Sequence, residues 1–267
     1  MLPVAGALQI VGGLRADGTS SDTIELVDPQ TGSSRADGSL AAATHDAAAA
    51  TVGGNTYVFG GGASRSTAAV QRLVAGGVAR VAGRLPAPRS DLSAATVGDT
   101  AYVLGGYDDN TWASTVLRTR DGTSFTPVGS LPVPVRYAAV AVVDGAIWVF
   151  GGVTPAGETA DVQRIDLGTG RAEVAGRLNT PLSDAVAVVL GGAVYLCGGL
   201  VAGSATDAVT RFDPIHRAVH SAGRLPAPVS DAGSAVVGAI GYLVGGEDPG
   251  PTNRVTILQL VPAPARN

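Results

Sequence analysis

Two adjacent positions recur along the chain with side chains that could do chemistry. Counted from a repeated leucine, the fifth residue is His45, Ser90, Arg136, Ser183 or Ser230, and the sixth is Asp46, Asp91, Tyr137, Asp184 or Asp231. Four aspartates gathered in a ring would suit a cation or a polyhydroxylated ligand; the same carboxylates would equally serve to cap backbone N–H groups where a strand begins. One copy breaks the pattern with Arg136-Tyr137, and Arg89 stands one residue ahead of Ser90. Two guanidiniums and a phenol beside carboxylates would suit an anionic sugar or a carboxylate-bearing peptide, because arginine bonds such groups bidentately. The competing role is neutralisation of the aspartates. A third candidate is the segment Tyr107-Asp108-Asp109-Asn110-Thr111-Trp112, which puts aromatic faces and acceptors together. Its Asp-Asp-Asn core also favours a plain solvated turn, and it lacks the ligand spacing of a calcium loop.

Other signals point away from chemistry. His216 and His220 have the spacing of a helical zinc pair but follow Asp213-Pro214, which reads as a surface hairpin. Cys197 occupies a place filled elsewhere by Val11, Phe59, Leu104, Phe150 and Val244, so it is expected in the core. No nucleophile elbow, phosphate loop or Cys-x-x-Cys pair is present. No metal and no cofactor are therefore expected, and no catalytic residue is assigned. The formal charge of −4 offers nothing to nucleic acid or to an anionic membrane surface. The uncharged stretch Ala185–Gly203 is long enough to raise the question of a membrane span. Gly191-Gly192 in its middle reads instead as a hairpin turn.

The elements that position these residues follow from a repeat. A Gly-Gly pair after an apolar run recurs at Gly12, Gly60, Gly105, Gly151, Gly198 and Gly245, at intervals of 48, 45, 46, 47 and 47 residues. Three residues earlier stand Gln9, Tyr57, Tyr102, Trp148, Tyr195 and Tyr242. Leu40, Leu85, Leu131, Leu178 and Leu225 each lie 20 residues before the first glycine of the next pair. Between these landmarks two apolar runs flank a turn such as Asp144-Gly145, which predicts a hairpin of strands a and b. After each Gly pair come a variable polar loop and two alternating strands, c and d. A four-stranded unit of this size cannot bury both faces alone, and radial closure protects its edges. The expected fold is one all-β domain over residues 1–267, a six-bladed β-propeller of four-stranded antiparallel blades. Its terminal blades are incomplete, in strand a of blade 1 (Met1–Val4 supplying its last residues) and in strand d of blade 6. Strand c of that blade is expected at residues 254–260, with the tail from Val261 to Asn267 leading toward the channel.

The motif Thr56-Tyr-Val-Phe-Gly-Gly61, its copy Ile147-Trp-Val-Phe-Gly-Gly152, the strand Arg211-Phe212-Asp213-Pro214 and the Leu-Pro-x-Pro lead-in resemble the Kelch family over nearly the whole chain. One feature departs from it: Kelch repeats often carry a tryptophan in strand d, where this chain has Val, Ala or Phe125. The missing tryptophan implies lighter blade packing, while the resemblance still implies the same propeller. It also offers two precedents. A copper site like that of galactose oxidase would need clustered His and Tyr ligands that this chain lacks. The six-bladed Kelch N-acetylneuraminate mutarotases act on an acidic sugar at the channel mouth with Arg and Glu, for which Glu158 and Glu247 are the available acids here.

Strand alternation places the d-to-a lead-ins and the b–c loops on one face and the short a–b and c–d turns on the other. The loop face is expected to carry Arg89, Arg136, Tyr137, Tyr107, Asp108, Asp109, Trp112, His45, Asp46, Asp91, Asp184 and Asp231. The expected activity is recognition of a protein segment or a glycan, anionic ligands included, by a non-catalytic domain; the alternative is a mutarotase- or epimerase-like enzyme. A chain that looks cut at both ends also fits a secreted or extracellular part of a larger bacterial protein.

Overall fold

The computed structural model describes residues 1–247 and the backbone strand Leu258–Leu260. Among these residues every regular element is a β-strand. The first sheet runs Leu2–Val4, Ala7–Val11, Thr23–Val27 and Ser34–Ser39. Four further sheets keep the order a, b, c, d. They are Ala48–Val52 to Arg80–Arg84, Ser90–Val97 to Thr126–Ser130, Ala139–Val143 to Ala172–Arg177, and Val186–Leu190 to Ala218–Arg224. Last comes a sheet of Gly233–Val237, Ile240–Val244 and Leu258–Leu260. Strand Gly77–Val78 adds parallel to the outer edge of the first sheet, at Gly38 and Ser39. The tail after Leu260 lies outside the described residues.

Local chemistry explains the hairpins. Asp144 and Gly145 both take positive φ, 49° and 69°, as do Gly53 and Gly54, 53° and 75°, the conformation a two-residue turn needs to match strand twist. Strands b and c set an aromatic opposite an arginine in four sheets: Tyr57 and Arg72, Tyr102 and Arg118, Trp148 and Arg164, Tyr195 and Arg211.

Sheets are joined face to face by apolar clusters. Trp148 and Phe150 of the fourth sheet meet Phe212 of the fifth, each with ring centroids 5.1 Å away. Phe59 and Phe125 make an edge contact at 6.0 Å between the second and third sheets, so a phenylalanine just before strand d fills part of the space expected of a tryptophan. Leu8 and Val27 pack against Ala235, Tyr242 and Val244, bringing the last sheet onto the first. Cys197 is buried in the cluster between the fifth and last sheets, and burial pushes its thiol up to about 12.

The repeated Gly-Gly pair is the joint that ties these sheets to each other. A Cβ on Gly12, Gly60, Gly105, Gly151 or Gly198 would lie under 3.0 Å from the backbone oxygen of Thr44, Arg89, Val135, Leu182 or Val229, each in the lead-in of the next sheet. The second glycine donates its N–H to that same oxygen, as in Gly61 to Arg89 (2.8 Å) and Gly152 to Leu182 (2.8 Å). Only a residue without a side chain leaves room for this bond, and the first glycine also takes a φ near +60°.

Candidate functional site

The lead-ins converge on the channel mouth through a chain of backbone bonds. Asp91 donates its N–H to the oxygen of Asp46 (2.9 Å), Tyr137 to Asp91, Asp184 to Tyr137 and Asp231 to Asp184 (3.0 Å each). All five residues are left-handed, with φ between 51° and 56°. This explains the aspartates in a way that differs from strand capping: Asp is among the few side chains that tolerate this conformation, and its own N–H is spent on the neighbouring lead-in. Tyr137 adopts it as a bulky residue, a strained conformation for its type. Adjoining residues pair with the segment after each Gly pair, His45 with Gly62, Arg136 with Val153, Ser183 with Leu200 and Ser230 with Glu247. Lead-ins and b–c loops therefore do share one face.

Arg136 is the centre of the most elaborate cluster. Its guanidinium lies 5.1 Å from the ring centre of Tyr107, 5.6 Å from Trp112 and 5.0 Å from Tyr137. Nη1 donates to Asp91 Oδ2 at 3.0 Å, with the aspartate side chain 4% exposed and the arginine 30%. Tyr107 and Trp112 meet edge to face at 4.8 Å. The Nε of Arg136 and the Nε1 of Trp112 are buried without a protein acceptor.

Arg89 stands apart from this cluster. It is 5% exposed and donates Nη1 to the backbone oxygens of Thr115 (2.9 Å) and Gly105 (3.4 Å), so it pins the third sheet instead of pairing with Arg136 at the mouth. Burial lowers its affinity for the proton from the usual arginine range. Its place in the sequence beside Ser90 concealed that the side chain turns inward.

The loop acids hold loops. Asp108 accepts from the N–H groups of Asn110 (3.0 Å) and Thr111 (2.6 Å), and these bonds keep its carboxyl below the ordinary range. Asp109 accepts from the hydroxyl (2.7 Å) and N–H (3.0 Å) of Ser66, tying the third sheet's loop to the second's, and is lowered for that reason. Glu158 does the same one step round the ring, accepting from the N–H groups of Ala202 (2.7 Å) and Gly203 (3.0 Å). It is one of the two acids, with Glu247, that the mutarotase precedent makes available. Sequence spacing had no means of revealing these cross-loop ties.

The remaining aspartates behave differently. Burial, then the charge of Asp91, raises Asp46 to about 6, against a smaller opposing pull from His45, whose Nε2 is 3.6 Å away. Burial raises Asp184 despite hydrogen bonds from Ser183 and Asp231. Desolvation in the funnel, then the charge of Asp184, raises Asp231 to about 8, although the residue is exposed toward the mouth. Tyr137 is pushed far above the usual phenol range by burial and by Asp46 and Asp91. Among the described residues, Asp46, Asp184 and Asp231 have no arginine partner, and no group of three or more His, Cys, Asp or Glu could hold a metal.

A cavity of about 210 Å³ lies on the opposite face, between the third and fourth sheets, lined by Tyr102, Arg118, Ile165 and the Asp166–Gly170 turn. It gathers no acid–base set, so the candidate site is the channel mouth. His216 is exposed beside Asp213 (3.1 Å) and away from His220, as a surface hairpin requires.

The fold is an all-β propeller, and its candidate residues gather on the face of the lead-ins. Residues 134–171, which include Arg136 and Tyr137, match the Kelch motif. The whole chain shares its fold with a solved structure titled "Structure of YjhT". The TM-score is 0.79 at 15% identity, covering 98% of this chain and 97% of the other. No curated protein matches in sequence. No helix among the described residues is long and apolar enough to cross a membrane.

Proposed function

We propose that the protein is a recognition domain, a six-bladed Kelch propeller that binds a protein segment or a glycan on its loop face. The blade count is supported by the repeat and by two apolar clusters. One joins the last sheet to the first, and the other places Ile24 and Leu40 against Val58 and Ala79. The observation that carries the function is the rim of the mouth, where Tyr107, Trp112 and Tyr137 surround Arg136, itself paired with Asp91, while Asp46, Asp184 and Asp231 have no arginine partner among the described residues. Aromatic and arginine side chains of this kind anchor partners at interfaces. Asp108, Asp109 and Glu158 brace loops, which supports a built binding face over an acid–base apparatus.

A second reading has one observation in its favour. The raised carboxyls of Asp46 and Asp231, in the same ring of lead-ins as Arg136, are what an enzyme acting on an acidic sugar would need for proton transfer. Two measurements decide between the readings. Arrays of peptides and oligosaccharides should give ligands that the Trp112→Ala variant no longer retains. Polarimetry of glucuronate anomerisation should show no acceleration by the protein; an acceleration that Arg136→Ala abolishes would transfer the assignment to the enzyme.

A further inference from the structure

Arg136 occupies a cage whose chemistry is that of a guanidinium receptor: three aromatic faces within 5.6 Å and a buried carboxylate at 3.0 Å. The occupant is imperfectly held. Its Nε and the Nε1 of Trp112 are both buried without acceptors, and Tyr137 is strained at a φ of 56°. Around the cage, Asp46, Asp184 and Asp231 lack arginine partners among the described residues, and burial with the charge of neighbouring carboxylates holds their carboxyls up, so a cation docked at the mouth would favour their ionised form and an anion would oppose it. This bears against the anionic ligand that Arg136 and Arg89 suggest in the sequence, since Arg89 is turned inward and Arg136 is already paired.

We propose that the mouth docks a basic segment of a partner protein, and that Arg136 is an internal stand-in whose place in the Tyr107, Trp112, Tyr137 and Asp91 cage is taken by an arginine of that segment. The inference rests on the recognition reading and names its partner. Exchange conserves the cation–π and ion-pair contacts of the cage. The displaced Arg136 is free to reach the mouth carboxylates or solvent. The partner adds its remaining contacts along the b–c loops.

Calorimetry on the intact chain tests this with a blocked peptide of alternating glycine and arginine. The peptide should bind at low salt and weaken in 0.5 M salt. It should bind about tenfold more tightly to Arg136→Ala, because the internal competitor is gone, and more weakly to Asp184→Asn. Arg136→Gln, which keeps much of the side chain's bulk without the charge, should shift affinity in the same direction if the alanine variant fails to fold. Affinity that falls or stays level in both Arg136 variants overturns the proposal. Preferential binding of an all-glutamate peptide or of maltohexaose also overturns it, yet leaves the recognition reading standing. Agmatine bound as tightly as the peptide would assign the cage to a small amine and remove the protein segment. No heat with any probe also sinks the proposal, and retention on the arrays then decides the recognition reading separately.

Discussion

Asp231→Asn should make the protein more stable in mild alkali. Its carboxyl is raised to about 8 by desolvation in the funnel and by the charge of Asp184, with Glu247 and Asp46 adding to the effect. A carboxyl whose folded value lies above its unfolded one costs stability once both states are ionised. That cost is relieved as pH falls through the folded value, because the native state takes up the proton first. The stability of the wild type should therefore decline from about pH 4 toward pH 9. Taken at face value, the distance from an ordinary aspartate near 3.9 would correspond to about 6 kcal/mol. Asp231 is an exposed residue, however, and solvent screens most of that, leaving about 1–2 kcal/mol. For a domain of this size such a change moves the thermal midpoint by about 3–6 °C. Thermal unfolding followed by circular dichroism at pH 4, 6, 8 and 9 would measure it. The asparagine variant, a neutral mimic of the protonated acid, should exceed the wild type most at pH 9, with the gap closing toward pH 4. No gap at pH 9, or a gap equally wide at pH 4, would refute the account of the carboxylate ring.

Gly151→Ala should destabilise by about 3 kcal/mol or more, since its Cβ would invade the Leu182 oxygen at a φ of 60°; urea denaturation reads it directly. Cys197 should resist iodoacetamide at pH 8 until the protein unfolds, being 2% exposed with its thiol at about 12. Glu158→Ala should leave global stability within about 1 kcal/mol while exposing the Ala202 and Gly203 amides to hydrogen exchange, because an exposed loop tie is lost and the core is untouched. Phe212→Ala, which removes a fully buried ring between Trp148 and Phe150, should cost about 3–5 kcal/mol in the same urea experiment.

The sequence by itself determined the repeat, the strand order within each sheet and the sharing of one face by lead-ins and loops. These are local or periodic properties: a Gly-Gly pair, an apolar run split by Asp144-Gly145, a leucine at constant distance. It also marked the blade whose lead-in departs from the others, because Arg136-Tyr137 breaks a pattern kept by Asp46, Asp91, Asp184 and Asp231. What those residues do was decided by the tertiary structure. The aspartates are there because the lead-in backbone is left-handed, a fact about φ that residue spacing does not carry. Arg89 and Arg136 come from successive lead-ins, yet one side chain is swallowed by the third sheet and the other lies in an aromatic cage. Asp109 and Glu158 are spent on loops more than 40 residues away. Direction of a side chain and identity of its distant partner depend on how neighbouring sheets close around the channel, and closure is a property of the whole ring that no single repeat encodes.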